Sequence, residues 1–272
     1  MRKSIPAVVA LLTLCGVVHA IYPEVKGRTT TDITFISNAD STKQRYVEIL
    51  PDAFKKNVSH DVLIALHGHG SDRWQFAKDN RDECRAARDA AKKYRMIYIS
   101  PDYRARTSWM GPKAEADVVQ IIKELKKKHR VSRVFLCGAS MGGTSSLAFA
   151  VLHPKLIDGV ASMNGTANML EFDNFQSAIG KSYGGTKKQV PLEYKNRSAE
   201  YWPEKLTMPI GLAVSGKDKD VPPHSVLRLT RVLQAMGHCP VKLIHRPQMG
   251  HSTKYDDALA ILDFVIKSAK IR

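Results

Sequence analysis

The sequence predicts an α/β fold: a mostly parallel, eight-stranded sheet with helices on both faces. Three observations carry that expectation. Short β-rich runs alternate with helix-patterned segments over nearly the whole chain, as in parallel sheets with crossover helices. The central runs are apolar throughout, not alternating with polar residues, which marks strands buried on both faces. With 272 residues, 43% of them hydrophobic, the chain suits one large domain, and no repeat or linker-like tract divides it.

The elements follow in order. Arg2 and Lys3 precede an apolar stretch from Ala7 to Val18, which ends in Val18-His19-Ala20. Basic start, apolar middle and small residues before a cut are the marks of a secretory signal, with cleavage expected after Ala20. That leaves 21–272 as a single domain, secreted or periplasmic, with no membrane span after cleavage. Segments 31–37 and 45–50 read as an opening pair of strands, and 61–66 (Asp-Val-Leu-Ile-Ala-Leu) as a buried one. Further strands are expected at 96–100, 133–137, 159–163, 209–215 and 241–245. Helices are expected at 80–94, 113–129, 141–152, 223–236 and 255–267. In the second of these Val118, Ile121, Ile122 and Leu125 form an apolar stripe, and its Lys126 to Arg130 run suits a helix C-terminus. Segment 168–206 is polar, aromatic-bearing and aperiodic, an insertion or lid between two strands.

The run Gly138-Ala139-Ser140-Met141-Gly142-Gly143 joins a predicted strand to a predicted helix. A sharp strand–turn–helix needs glycine where side chains would collide, and it lifts the serine oxygen above the sheet edge. Ser140 is therefore the candidate nucleophile. A serine hydroxyl needs a base. His251, in the turn-like loop 247–252 after the last strand, is placed for that role, unlike His129, His153 or His238. A carboxylate must orient the base. Segment 215–222 offers Asp218 first and Asp220 as the alternative. The oxyanion donors expected are the amide of Met141 and that of His69, in the loop His67-Gly68-His69-Gly70. His67 and His69 have no third ligand cluster beside them, so no metal is expected there; no cofactor is expected either.

These residues, with Val221-Pro222 and Gly250-His251, resemble the α/β-hydrolase superfamily over about 31–270. The chain looks most like secreted feruloyl and acetyl-xylan esterases, polyhydroxybutyrate-depolymerase-type enzymes and prolyl-oligopeptidase-like hydrolases. The resemblance implies the α/β-hydrolase fold and a metal-free Ser-His-Asp acyl-enzyme mechanism. The expected substrate is a small-molecule or polysaccharide ester, with acetyl or feruloyl groups on carbohydrate in view. Trp109, after the fourth strand, and Trp74, after the oxyanion loop, are candidates for stacking on it.

Two rival readings stand beside the esterase: a prolyl-oligopeptidase-like peptidase, and a secreted binding protein that kept the fold and lost catalysis. A peptidase that grips a peptide amine needs acidic groups near the cleft, whereas the loops read as mostly basic. The net charge is +16, from 42 Lys+Arg against 26 Asp+Glu. The basic residues are scattered, which suits solubility, and no nucleic-acid motif is present, so nucleic acid is not an expected partner. Oligomeric state is left open. Cys84, Cys137 and Cys239 remain after the signal; three cysteines are no disulfide framework, though a Cys84–Cys239 bridge stays open. Asn57, Asn164 and Asn196 stand in glycosylation sequons.

Overall fold

The computed structural model describes residues 20–21 and 29–270. The expected signal segment lies outside the described residues apart from Ala20, which pairs with Asp32. One sheet of nine strands organises the described chain, in the order β1-β2-β3-β5-β4-β6-β7-β8-β9. Its strands are β1 (Ala20–Ile21), β2 (Thr30–Ile36), β3 (Lys43–Ile49), β4 (His60–Leu66), β5 (Ile97–Pro101), β6 (Val131–Ala139), β7 (Gly159–Met163), β8 (Ile210–Ser215) and β9 (Val241–Arg246). The eight predicted strands are all present, and the two-residue β1 is added at the edge. β1, β2 and β3 pair antiparallel, β3 meets β5 antiparallel, and every later pairing is parallel.

Apolar runs in the central strands serve two cores because successive side chains point to opposite faces. On β4, Val62, Ile64 and Leu66 enter one core while Leu63 and Ala65 enter the other. The first core is closed by α3 (Pro112–Lys128), α4 (Met141–Leu152) and α7 (His224–Met236), the second by α1 (Trp74–Lys78), α2 (Asp82–Lys93) and α8 (Tyr255–Ser268). Local chemistry sets the helix ends. Pro112 opens α3 where its missing N–H costs nothing, and Gly237 closes α7 at φ +63°. The short α1 was absent from the sequence expectation: its five residues are too few to show a period.

Segment 168–206 contains α5 (Gln176–Tyr183), α6 (Pro191–Asn196) and two short 3-10 turns. It is packed firmly. Tyr183 and Tyr194 are buried and stack edge to face at 4.8 Å, and Arg197 reaches Glu115 of α3 at 2.5 Å. With this cover above and the sheet below, α4 is buried from Met141 to Val151. No helix of the described residues is long and apolar enough to cross a membrane.

The cysteine alternative resolves against a bridge. Cys84 lies in the core on one face of the sheet and Cys239 in the core on the other, and Cys84, Cys137 and Cys239 are all free and buried. Burial pushes each thiol up, which keeps them inert. Asn164 is 4% exposed, so its sequon is closed to modification in the folded chain.

The approach of α4 to β4 leaves no room for a side chain. A Cβ on Gly142 would stand 2.0 Å from Leu66 O. Gly142→Ala is expected to destabilise the fold by at least about 1–3 kcal/mol in urea denaturation. Gly250→Ala, with nothing within 4 Å of its added Cβ, is the control and should shift the midpoint little.

Candidate active site

Ser140 occupies the turn between β6 and α4 with φ +57° and ψ −122°. This conformation is strained for a residue with a side chain. It is held by the Ser140 N–H, which donates to Met163 O at 2.8 Å, and by the Thr144 N–H, which donates to Ser140 O at 3.0 Å. Gly138 is equally constrained: a Cβ there would lie 2.5 Å from the carbonyl carbon of Gly142. The turn presents Ser140 in the wall of a cleft of about 680 Å³ at the C-terminal edge of the parallel strands. Met141 follows as the first residue of α4, where a backbone N–H has no intrahelical acceptor.

His251 lines the same cleft from the loop after β9. Its Nδ1 hydrogen-bonds Asp218 Oδ2 at 2.6 Å, and the Asp218 side chain is 1% exposed. Asp218 is itself fixed, since its Oδ1 accepts the N–H groups of Asp220 at 3.0 Å and Val221 at 2.8 Å. Of the two acids the sequence left open, the structure thus brings Asp218 to the imidazole. Asp220 stays exposed at the cleft rim. Burial pulls the His251 pKa down; the Asp218 hydrogen bond and the charges of Asp218, Asp220 and Glu83 outweigh it, leaving the pKa raised above 6.5. Asp218, Asp220 and His251 also bring ligand-type atoms within 4.8 Å of one another, but the Nδ1···Oδ2 contact is that of a hydrogen-bonded pair. Among the described residues no hydrogen bond joins Ser140 Oγ to His251, a contact that often tightens only with substrate bound.

The loop after β4 forms the opposite wall through Gly68, His69, Gly70 and Ser71. The Gly68 amide is engaged, donating to Gln75 Oε1 at 2.7 Å. Gln75, on α1, is a site residue the sequence did not suggest, and its only signal was its place seven residues after Gly68. His67 is fully buried, with Nδ1 2.8 Å from Gly68 O and Nε2 3.1 Å from Asp102 O. His69 Nδ1 accepts the indole N–H of Trp109 at 3.0 Å. Both histidines are therefore bound into the loop scaffold.

The two tryptophans need correction. Trp109 is 0% exposed, so it offers no face to a substrate; its ring packs among His69, Phe172 and Phe175. Trp74 opens α1 under the cations of Arg73 and Lys78, apart from the residues lining the cleft. The aromatic that does line the cleft is Phe175, at φ +57° before α5. Asp82 and Glu83, in the first turn of α2, line it too, with Arg81. The sequence reading placed them only within the helix expected at 80–94 and did not single them out.

This arrangement is that of an α/β-hydrolase. The sequence profile of the prolyl oligopeptidase family matches residues 103–270, well over half of the chain, and the protein belongs to that family. It is a serine hydrolase of the esterase or peptidase type. No curated protein sequence matches it. Several solved structures share the fold at low identity. An S-formylglutathione hydrolase from Agrobacterium tumefaciens superposes with TM-score 0.69 at 14% identity, covering 90% of this chain and 95% of that one. A ferulic acid esterase gives 0.69 at 17% identity, covering 89% and 97%. An acylaminoacyl peptidase from Pyrococcus horikoshii gives 0.70 at 16% identity over 91% of this chain, which spans 43% of the peptidase.

The raised His251 pKa sets a sign for pH dependence. A base must be neutral, so kcat/KM on any hydrolysed substrate should fall as pH drops through a value above 6.5. Asp218→Asn removes the hydrogen bond and the charge that raise it most, leaving only the charges of Asp220 and Glu83 against burial, so the acid limb of the pH–rate profile should move to lower pH. An unmoved limb would show that another group controls it.

Proposed function

We propose that the protein is a secreted serine esterase in which Ser140, His251 and Asp218 form the catalytic triad. The observation that carries this reading is the 2.6 Å His251–Asp218 hydrogen bond in the cleft wall that also holds the strained Ser140. His251 Nε2 takes the Ser140 proton as Oγ attacks the ester carbonyl. Buried Asp218 holds the imidazole in the Nδ1–H tautomer and stabilises its cation. The amides of Met141 and His69 hold the oxyanion; the engagement of Gly68 N–H by Gln75 favours His69 within its loop. The alcohol leaves with the proton from His251, giving an acyl-enzyme, and water repeats the sequence to release the acid. Acetyl or feruloyl esters on carbohydrate are the proposed substrates, and the basic, apolar-then-small pattern of residues 2–20 is the ground for secretion.

The test is hydrolysis by the mature chain of p-nitrophenyl acetate, p-nitrophenyl octanoate, methyl ferulate, acetylated xylan and an aminoacyl nitroanilide. Ser140→Ala should abolish turnover with an unchanged melting temperature, and activity retained in it would remove Ser140 as nucleophile. Asp218→Asn should cost about 10³–10⁴-fold in kcat, and Asp220→Asn far less; the reverse order would transfer the role to Asp220.

A peptidase is the second reading, favoured by family membership and by Asp82, Glu83 and Asp220 in the cleft wall. Burial raises the Glu83 pKa, so a substrate ammonium there would relieve a carboxylate that is costly to charge. If this reading holds, the anilide is the best substrate of the panel, and Glu83→Gln raises its KM while sparing neutral esters.

A further inference from the structure

We propose that His69 determines specificity: held by Trp109 as the neutral Nε2–H tautomer, its ring donates a hydrogen bond to an acceptor oxygen on the acyl part of the substrate. This rests on the serine-esterase reading and deepens it, because it names esters of oxygen-bearing acids as preferred over plain alkanoates.

The tautomer follows from donor chemistry. An indole N–H can only donate. Trp109 Nε1 stands 3.0 Å from His69 Nδ1, so Nδ1 must be the acceptor and the ring proton sits on Nε2. His69 is half-buried in the cleft wall. Its Nε2 has no hydrogen-bond partner among the described residues and is not one of their buried unpartnered atoms, so it is accessible, on a ring that lines the cleft. The ring is fixed in place, with Phe175 at 4.6 Å and Trp109 at 5.8 Å between centroids.

Trp109 is held more tightly still. It is fully buried at φ +44°, followed by Met110 at φ +56°. Two left-handed residues in succession are costly and persist only where surroundings impose them. Tyr183 O–H donates to Trp109 O at 3.0 Å, and Arg197 Nε donates to Met110 O at 2.7 Å. Segment 168–206 thus clamps the loop that orients His69. Trp109 is a positioning residue, and what it delivers to the cleft is one N–H aimed at Nδ1. The amide of His69 is the proposed oxyanion donor, so the imidazole is tethered within one side chain's reach of the scissile carbonyl. An ether, hydroxyl or carbonyl oxygen a few bonds along the acyl chain is the acceptor that fits.

Two readouts test this. The first is ¹⁵N NMR of the His69 ring in Ser140→Ala at fixed neutral pH, alone and combined with Trp109→Phe. Nε2 should be protonated and Nδ1 bare, and Trp109→Phe should give mixed tautomers. The second is the ratio of kcat/KM for p-nitrophenyl methoxyacetate and butyrate, which are nearly isosteric and share a leaving group. His69→Leu should lower that ratio roughly three- to tenfold relative to wild type, the worth of one neutral hydrogen bond. His69→Gln, which keeps an N–H, should restore part of it. These His69 variants decide the matter if Trp109→Phe fails to fold. An Nδ1-protonated ring in the Ser140→Ala protein overturns the proposal. So does Ser140-dependent turnover with the same ratio in wild type and His69→Leu. A wild type that hydrolyses neither ester sinks the esterase reading itself, a result distinct from an unchanged ratio.

Discussion

The architecture of the site depends on one close approach: the start of α4 against the ends of β4 and β7. A Cβ at Gly142 would sit 2.0 Å from Leu66 O, and one at Gly143 2.7 Å from Met163 O. No side chain larger than hydrogen fits at either point. Because the helix can begin that close to the sheet, the chain must turn within one residue, and Ser140 absorbs the turn in a left-handed conformation. The strain is imposed by the parallel pairing of β6 with β4 and β7. It puts the hydroxyl at the cleft wall and the first free amide of α4 one residue behind it.

Around that turn the loops are fastened to one another rather than left to solvent. The loop after β5 is the hub. Asp102 accepts from Arg73 at 3.1 Å, Gly70 N–H donates to Arg106 O at 2.7 Å, and Tyr103 O–H donates to His67 O at 2.6 Å. Tyr103, Arg104, Trp109 and Met110 all have positive φ. Such a loop keeps its shape only through tertiary bonds, and segment 168–206 supplies two of them through Tyr183 and Arg197. The segment that reads in sequence as an insertion or lid thus braces the loop after β5 through these two bonds.

Electrostatics at the site runs against the composition. A chain of net charge +16 carries Asp82, Glu83, Asp218 and Asp220 around the cleft. Net charge governs solubility and long-range encounter, but the pKa of His251 follows groups a few ångströms away. Much of the arginine is consumed in pairing, as where Arg104 binds Asp40 and Asp117 and Arg133 binds Asp61. The mostly basic character of the loops therefore says little about what the cleft attracts.

The sequence by itself determined the fold class, the eight main strands and the positions of Ser140, His251 and Asp218 relative to strand ends. These are legible because burial on both faces demands continuous apolar runs, and because a sharp strand-to-helix turn demands glycine at set spacings. Between Asp218 and Asp220, both plausible two residues apart, only the fold could choose, through which carboxylate it buries against the imidazole. Tertiary structure alone also decided the burial of Trp109, the service of Gln75 to Gly68, the entry of Glu83 into the cleft wall and the separation of Cys84 from Cys239. Each of these depends on which face of an element meets which neighbour. A pattern confined to neighbouring residues carries no record of contacts made between elements far apart in the chain.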